Sequence, residues 1–427
     1  MSAPAVEFLT EAADFSETDI TGKTEVSATN FDIAIIGGGV IGLSLARALS
    51  GHQLRVAVID AGHETPPATD AAAGMLAASF ESAAEESMAD ALFALGAQSL
   101  AAWPGFAAML EDETGQALDY RDDGIVAVAF DEPQAAALKY SGEQLRARGG
   151  NASFLDGDAV RQLEPALSDR VVAALYAPGD AQVDPRKLLI ALRAAFRKTA
   201  GRFFGERVVQ VEGDKAGHRL MLSNGERLEA KTVVLASGAA ATQLIAGLPP
   251  PPITPVKGEA LAVQMGAVQM AAVDSGGHKF RHVIRCPAQP ALPYLCPKAD
   301  GRVIIGATEI AGRRDAGVDD ASIRKLRAGA ADVVPAVRDW PEIERWSGLR
   351  PATPDGAPIL GRDRRGPDGV FLALGHYRNG ILLAPACATA LAREILGEGA
   401  PSPSPLTHLQ PFRPERFVSS PGEGEHG

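Results

Sequence analysis

The stretch that decides the fold runs from Asp32 to Asp60. It reads Ile33-Ala34-Ile35-Ile36, then Gly37-Gly38-Gly39-Val40-Ile41-Gly42, and, after a helical segment, Arg55-Val56-Ala57-Val58-Ile59-Asp60. The pattern predicts a buried strand, a glycine-rich turn, a helix and a second strand. Gly37 permits the tight turn, Gly39 lets the backbone approach a pyrophosphate, and Gly42 lets the helix pack closely on the strand. Because Asp60 ends the second strand, where an acid binds ribose hydroxyls, the stretch indicates a Rossmann-type site for the adenosine part of NAD or FAD rather than NADP.

Composition narrows the class of protein. The chain has 427 residues, of which 46% are hydrophobic, enough for a large core and for two domains. Its 53 acidic and 41 basic side chains give a net charge of −12, with no basic stripe, so we expect no nucleic acid partner. The three cysteines form no CxxC pair, which suits a reducing compartment.

The two ends and the apolar runs bear on location. Residues 1–29 are acidic, with Lys23 as their one basic group, and match neither a secretory signal nor an arginine-rich transit peptide. We expect a disordered lead there and a disordered, proline-rich tail over residues 400–427. Since no apolar run reaches the ~18 residues that span a bilayer, we expect a cytoplasmic protein without a membrane segment.

Helix and strand patterns divide the chain in two. We expect an α/β fold with a discontinuous nucleotide-binding domain over residues 30–105, 165–250 and 345–399. Residues 106–164 and 251–344 are expected to form an α+β substrate domain on an antiparallel sheet. Helices are predicted over residues 88–118, with a break at Trp103-Pro104-Gly105, over 185–200 and 320–336, and from Asn379. A single glycine fingerprint argues against hydride exchange with a nicotinamide, which usually needs a second dinucleotide site in the same chain.

Two arginines are candidates for substrate binding. Arg350 lies in Gly348-Leu349-Arg350-Pro351 and Arg378 in Gly375-His376-Tyr377-Arg378-Asn379-Gly380, each in a turn near the end of an apolar segment. A planar guanidinium grips a carboxylate through two charge-assisted hydrogen bonds, so the pair suggests a carboxylate-bearing substrate. For either arginine alone, a surface or interdomain salt bridge is the more ordinary explanation.

Three further features allow two interpretations each. The helix from Asn379 either stabilises negative charge on a reduced flavin through its N-terminal N–H groups or simply packs on the sheet. Tyr294 either presents a hydroxyl to a ligand or lies in the core. His278 and His282 have the spacing of metal ligands on a helix, but no carboxylate motif accompanies them, and we expect no metal site.

The ordered segments resemble the D-amino-acid oxidase-like flavoproteins, and within them the glycine oxidases of thiamine (thiazole) biosynthesis, over residues 31–397. The least generic segments are Ala71-Ala72-Ala73-Gly74-Met75-Leu76, Gln182-Val183-Asp184-Pro185, Pro255-Val256-Lys257-Gly258-Glu259, Gly301-Arg302-Val303-Ile304-Ile305-Gly306-Ala307-Thr308, Gly348-Leu349-Arg350-Pro351 and Gly375-His376-Tyr377-Arg378-Asn379-Gly380. Departures from the family pattern, including Glu309 after Gly306-Ala307-Thr308, fall in the substrate part. The resemblance therefore implies the cofactor more sharply than the size of the substrate.

The resemblance implies noncovalent FAD, with the flavin ring on the small-residue segment around Gly74. The residues expected to contact FAD are Gly37, Gly39, Val40, Ile41, Gly42, Asp60, Ala61, Ala68, Thr69, Ala73, Gly74, Met75, Val208, His376, Tyr377, Arg378, Asn379, Gly380, Ile381 and Leu382. It also implies that Arg350 and Arg378 bind the substrate carboxylate and that Tyr294 closes the pocket.

The implied reaction is hydride transfer from the Cα of glycine or another small amino acid to FAD. The imine either hydrolyses to a 2-oxo acid and ammonia or passes to a thiazole synthase, and molecular oxygen reoxidises the flavin to give hydrogen peroxide. The resemblance further suggests a homo-oligomer.

Several alternatives stay open from the sequence. Within the family, one alternative is that the substrate is a D-amino acid, an N-methyl amino acid or a cyclic imino acid. Another is that a quinone, rather than oxygen, is the electron acceptor. From another class, the chain is a non-catalytic flavin-holding subunit of a complex, although such a subunit has no need of both Arg350 and Arg378. A nicotinamide dehydrogenase fits the glycine fingerprint but not the segments nearer the C-terminus.

Overall fold

The computed structural model describes residues 29–62, 67–81, 86–214, 217–241, 243–266, 280–287, 294–398 and 409–417. Most of the lead and much of the tail predicted to be disordered therefore lie outside the described residues, as does His278.

The described helices and strands alternate along the chain. The helices are α1 (Val40–Leu49), α2 (Ala68–Ala71), α3 (Glu86–Thr114), α4 (Glu132–Ala147), α5 (Gly157–Leu163), α6 (Pro185–Arg197), α7 (Asp320–Val333) and α8 (Gly380–Ile395). The strands are β1 (Asn30–Ile36), β2 (Val56–Ile59), β3 (Met75–Leu76), β4 (Ile125–Ala129), β5 (Ser153–Asp156), β6 (Ala173–Ala177), β7 (Ala181–Gln182), β8 (Arg202–Phe204), β9 (Val208–Asp214), β10 (Gly217–Leu222), β11 (Arg227–Leu235), β12 (Thr254–Gln264), β13 (Val283–Arg285), β14 (Tyr294–Pro297), β15 (Arg302–Gly306), β16 (Ile310–Ala311), β17 (Glu342–Ala352), β18 (Ile359–Arg362) and β19 (Val370–Leu374).

The first sheet is the predicted nucleotide-binding sheet. Among the described residues its order is β18-β19-β11-β1-β2-β8, with β10 on β11 and β9 on β10. The pairs β19-β11, β11-β1, β1-β2 and β2-β8 are parallel. Alternate residues of β1 point to opposite faces: Ile33 and Ile35 pack in one core cluster with α1, α6 and α8, and Ala34 and Ile36 in another with β9 and β10.

The second sheet is mostly antiparallel and forms the other half of the α/β architecture. Its order is β16-β12-β15-β14-β13-β4-β6-β5, with β17 also on β12 and one parallel pair, β13-β4. One face carries Leu261, Val263 and Ile305 and packs on α7. The other carries Ala260, Ala262 and Ile304 and packs on the segment around Ala73 and Ala77. This second face is the one that leads to the candidate site.

Two strands lie in a different sheet from the one that the predicted domain boundaries give them. Strand β6 falls within residues 165–250 and β17 lies mostly within 345–399, both expected in the nucleotide-binding domain. However, β6 pairs with β4 and β5, and β17 pairs with β12, so both belong to the second sheet. Buried strands of either sheet have the same apolar composition, and so strand pairing cannot be read from the pattern.

Helix α3 differs from the prediction at the expected break. It runs unbroken through Pro104, and the predicted interruption at Trp103-Pro104-Gly105 is wrong. Trp103 is fully buried there and donates its indole N–H to the Leu382 carbonyl at 3.0 Å, which holds the helix against α8. In length and composition α3 is, among the described residues, the one helix apolar enough to cross a membrane. Its apolar positions, such as Leu92, Leu95 and Leu110, recur at helical spacing and lie in the core.

Part of the predicted disordered tail is folded. Residues Gln410–Phe412 and Pro414–Phe417 form two short 3₁₀ turns. Phe412 is 2% exposed and belongs to the core cluster under α8. Arg416 donates to both oxygens of Asp355, at 2.6 and 3.2 Å. The tail whose proline-rich composition suggested disorder thus contains one buried aromatic residue, Phe412, and one residue, Arg416, that forms an ion pair with Asp355.

Candidate active site

The glycine-rich turn between β1 and α1 has the geometry of a phosphate-binding turn. Gly37 has φ +119°, and a Cβ there would overlap the Ala236 carbonyl oxygen of the neighbouring strand. A Cβ on Gly42 would overlap the Gly37 carbonyl oxygen, so α1 packs closely on the turn. Gly39 differs, because a Cβ there would meet nothing nearer than Thr69 Oγ1 at 3.5 Å. The space over Gly39 is therefore open to a ligand.

Asp60 and Thr69 flank this turn. The Asp60 carboxylate accepts the Gly38 N–H at 2.5 Å on one oxygen and the Gly62 N–H at 2.8 Å on the other. Each oxygen keeps a second lone pair, with which a carboxylate can also accept ribose hydroxyls. Thr69 Oγ1 accepts the Val40 N–H at 3.2 Å, and so ties the start of α2 to the start of α1.

Two helices point uncapped N-termini into the site. Four other helices each begin at an aspartate whose side chain accepts a backbone N–H of the first turn: Asp131 for α4, Asp156 for α5, Asp184 for α6 and Asp319 for α7. Helices α1 and α8 begin after Gly39 and Asn379, neither of which provides a side-chain cap. Apart from the Val40 N–H, which Thr69 accepts, the N–H groups of their first turns and their positive dipole ends suit an anionic ligand.

The small-residue segment between these helix ends is held rigidly from beneath. Gly74 has φ +82°, and a Cβ there would overlap the Val183 carbonyl oxygen. Lys298, which is 2% exposed, donates its ammonium to the Ala73 carbonyl at 2.7 Å and to the Val183 carbonyl at 2.9 Å. Met75 pairs with Gln182 across β3 and β7. These contacts therefore hold the backbone of the segment in one position.

Tyr294 and Arg350 converge on one face of the second sheet. Arg350 on β17 lies across Gly258 of β12, where a Cβ would overlap its guanidinium. Tyr294 on β14 lies across Gly306 of β15, and a Cβ there would be 2.7 Å from its hydroxyl. Gly258 and Gly306 share a face, because Ala260, two residues from Gly258, pairs directly with Gly306. The two glycines thus leave room for both polar groups side by side.

The two arginines have different partners. Arg350 donates to the Thr308 carbonyl at 3.1 Å, and no carboxylate among the described residues forms an ion pair with it. Arg378 is paired: its Nε lies 3.2 Å from Glu81 Oε2 and its Nη1 lies 3.9 Å from Glu309 Oε2. Glu81 also accepts from Arg285 at 2.8 Å. Arg350 is therefore the guanidinium with a free charge for a ligand carboxylate.

Burial sets the protonation states around these groups. It raises the pKa of the Tyr294 hydroxyl above its usual range, so this group stays protonated and able to donate at neutral pH. It lowers the pKa of His376 to about 3, so this ring is neutral. Burial also lowers the pKa of Arg350, although an arginine remains charged. Asp180, which accepts from Ser79 behind Glu81, has its pKa raised by burial to about 7.

Comparison with known proteins decides which kind of site this is. The model of the family described as FAD dependent oxidoreductase matches residues 32–394, which include both sheets and all the groups described above. The chain belongs to this family of FAD-dependent oxidoreductases. The helix ends without a side-chain N-cap, the open space over Gly39 and the firmly held backbone at Gly74 all fit FAD, and the chain is an FAD-dependent enzyme.

Relatives of this oxidoreductase include glycine oxidases. It is 35% identical over 371 residues to the glycine oxidase of Geobacillus kaustophilus, covering 85% of this chain and 92% of the relative. The crystal structure of glycine oxidase from the same organism superposes with a TM-score of 0.81 at 31% identity, covering 92% of this chain and all of that one. The resemblance to D-amino-acid oxidase-like flavoproteins is thereby confirmed.

A second kind of relative is longer. The bifunctional protein ThiO/ThiG of Synechocystis sp. (strain ATCC 27184 / PCC 6803 / Kazusa) is 34% identical over 395 residues, which are 92% of this chain. This oxidoreductase spans about half of that relative, 55% of its length.

The structure brings most of the residues expected at the FAD site of this oxidoreductase into one region. Val40 and Ile41 form the start of α1, and His376, Tyr377 and Arg378 lead through Asn379 to Gly380, Ile381 and Leu382 in the first turn of α8. Ala61 follows Asp60, Ala68 begins α2, and Ala73 and Met75 flank Gly74. Val208 begins β9 and packs in the same cluster as Ile59, next to Asp60.

Three residues of the site have no signal in the sequence: Glu81, Arg285 and Lys298. Each is an isolated charged residue outside any recognised motif. Only strand pairing shows their roles, because Arg285 ends β13, Lys298 follows the neighbouring strand β14, and Glu81 meets Arg285 from the first half of the chain. A lysine just after the apolar run Leu295-Cys296-Pro297 is the one weak indication.

Proposed function

We propose that this enzyme oxidises glycine or another small amino acid, forming the imine, which hydrolyses to a 2-oxo acid and ammonia. The observation that carries the proposal is the partly buried Arg350 guanidinium, without an ion-pair partner among the described residues, beside the Tyr294 hydroxyl on the sheet face that packs on the segment around Gly74. A single free guanidinium suits a monocarboxylate. The glycine oxidases among the relatives support this choice of substrate.

FAD is assigned to the groups whose geometry suits it. Gly39 and the N-terminus of α1 would hold the pyrophosphate, and Asp60 the ribose. Ala73, Gly74 and Met75 would hold the flavin ring. The N–H groups at the start of α8 would favour negative charge on the ring. Bound FAD supplies the two-electron acceptor for the hydride that leaves the substrate Cα.

The protein's own residues bind and orient the amino acid. Arg350 holds the substrate carboxylate through two charge-assisted hydrogen bonds, and Tyr294 donates a third from its protonated hydroxyl. Arg378 lies nearby, with its charge already balanced by its ion pair with Glu81. Holding the substrate in one pose lowers the barrier by removing its rotational freedom. The amine reacts in its neutral form, and the substrate loses this proton to solvent on binding, so no enzymic base is required.

We infer that molecular oxygen is the acceptor, with hydrogen peroxide as product, and that the enzyme works in the cytoplasm as a homo-oligomer. The bifunctional ThiO/ThiG relative supports a role in supplying the imine for thiamine thiazole synthesis, with a thiazole synthase as partner. Oxidation of D-amino, N-methyl or cyclic imino acids is the alternative within the family. The size of the preferred substrate distinguishes this alternative from oxidation of glycine.

Oxygen uptake by the purified holoprotein tests the proposal. Glycine, sarcosine, D-alanine and D-proline are supplied in turn at saturating concentration, and peroxide and ammonia are measured. Glycine is expected to give the highest kcat/KM, with one peroxide and one ammonia per oxygen. Higher kcat/KM for D-proline or D-alanine would move the enzyme to the alternative activity. Turnover with an added quinone but not with oxygen would change the acceptor.

A further inference from the structure

We propose that Glu309 determines specificity by excluding substrates that carry a second negative charge. This inference rests on the proposed function and deepens it, because it names the chemical class that the site rejects. Three observations carry it: the position of Glu309 at the rim, the pairing of Arg378, and the single free charge on Arg350.

The backbone holds Glu309 beside Arg350. Thr308, the preceding residue, accepts the Arg350 Nη1–H on its carbonyl at 3.1 Å. The same threonine is tied to β12, since its N–H donates to the Glu259 carbonyl at 3.1 Å and its hydroxyl accepts the Glu259 N–H at 2.9 Å. The backbone at Glu309 is thus fixed next to the Arg350 guanidinium, which is assigned to the substrate carboxylate.

The side chain of Glu309 is fixed at the open side of the site. Its carboxylate accepts a hydrogen bond from the Tyr377 hydroxyl and lies 3.9 Å from Arg378 Nη1. It remains 55% exposed, whereas the side chain of Glu81 is 9% exposed. Glu309 is therefore the anion that a ligand group extending from the pocket towards solvent meets.

Arg378 does not offset this charge for an incoming anion. Its guanidinium lies between two carboxylates, Glu81 at 3.2 Å and Glu309 at 3.9 Å. A second ligand carboxylate would have to displace one of them. Since Arg350 can neutralise one carboxylate, a monocarboxylate finds a balanced site and a dicarboxylate brings an uncompensated charge next to Glu309. For two unit charges about 7 Å apart at an effective dielectric of ~40, this repulsion weakens binding about tenfold.

Two non-reducing ligands with the same ether frame test the inference. Methoxyacetate carries one carboxylate and oxydiacetate carries two. Their dissociation constants are measured from the change in flavin absorbance of the holoprotein, for wild type, Glu309→Gln and Glu309→Asp. Glu143→Gln, which removes an exposed carboxylate from α4, is the matched control for net charge. FAD content and thermal midpoint are measured for every variant, and reduction of wild type by glycine is measured in the same preparation.

We predict a change in the ratio of the dissociation constant of oxydiacetate to the dissociation constant of methoxyacetate. In wild type, oxydiacetate binds more weakly than methoxyacetate, and raising the ionic strength reduces the difference. Glu309→Gln lowers the ratio about tenfold, whereas Glu309→Asp and Glu143→Gln keep the wild-type ratio.

Two results would overturn the inference, and they are distinguishable. If glycine reduces the wild-type flavin but Glu309→Gln keeps the wild-type ratio, the assignment of Glu309 is wrong and the proposed function stands. If no amino acid reduces the wild-type flavin, the proposed function fails and the inference fails with it.

Discussion

Arg350 and Arg378 are two arginines at one site whose surroundings give them different roles. From the sequence, a carboxylate site was expected because a planar guanidinium can bind a carboxylate through two hydrogen bonds. In the structure, Arg350 and Arg378 do lie close to each other and to Tyr294. The sequence could not show that Glu81 and Glu309 already occupy Arg378, because ion pairing depends on chain segments far apart. We therefore assign Arg350 as the carboxylate ligand and Arg378 as an arginine whose charge is balanced within the protein.

Replacing Arg350 tests that division of roles. Arg350→Met is expected to lower kcat/KM for glycine by about 10²–10³, which corresponds to ~3–4 kcal/mol for the lost charge-assisted hydrogen bonds. Arg350→Lys keeps the charge but loses the fork, and is expected to lose less. FAD content should stay at the wild-type level in both, measured by flavin absorbance. Arg170→Met, at an exposed arginine paired with Asp332, is the control; wild-type kcat/KM in Arg350→Met would refute the assignment.

At the scale of elements, local patterns predicted much of the fold. Strands β1 and β2 flank the glycine-rich turn as predicted, and α6 begins at Pro185 as expected. These elements carry their signals locally, as apolar runs or N-terminal prolines. The break predicted at Pro104 is wrong because burial of Trp103 against α8 outweighs the one hydrogen bond that proline removes.

Lys298 connects two segments of the fold, and the sequence analysis did not identify it. Its ammonium joins the small-residue segment to the strand end at Val183. Lys298→Met would leave two buried carbonyls without this donor, and is expected to destabilise the holoprotein by about 3 kcal/mol. It should also weaken FAD binding, because the segment that faces the flavin loosens.

Denaturant unfolding and titration of the apoprotein with FAD measure the two effects. The control is Lys139→Met, which removes an exposed lysine of α4 and should change neither. An FAD dissociation constant within twofold of wild type for Lys298→Met would contradict the role given to the segment.

At the scale of the whole molecule, the two sheets enclose the site between them. Composition and periodicity predicted the two-part α/β architecture, including the parallel nucleotide-binding sheet. They misplaced β6 and β17, because pairing between distant strands is set by the whole fold. They also missed residues 409–417, where one aromatic side chain anchors a segment of otherwise disordered composition.

The C-terminal anchor is predicted to stabilise the nucleotide-binding half. Phe412→Ala removes a buried aromatic ring from the core under α8, and is expected to cost ~3–5 kcal/mol of unfolding free energy. Truncation after Phe417 removes none of the described contacts and should leave stability unchanged. Urea unfolding of both variants makes the comparison. Equal stability of Phe412→Ala and wild type would show that the C-terminal segment does not stabilise the nucleotide-binding half.

The most direct test of the account is anaerobic mixing of the holoprotein with glycine while the oxidised-flavin absorbance is followed. We expect rapid bleaching with glycine in wild type, at least ~10² times slower bleaching in Arg350→Met at the same substrate concentration, and recovery of the colour when air is admitted. A flavin that stays oxidised with glycine, sarcosine, D-alanine and D-proline alike would contradict it and favour a flavin-holding subunit without turnover.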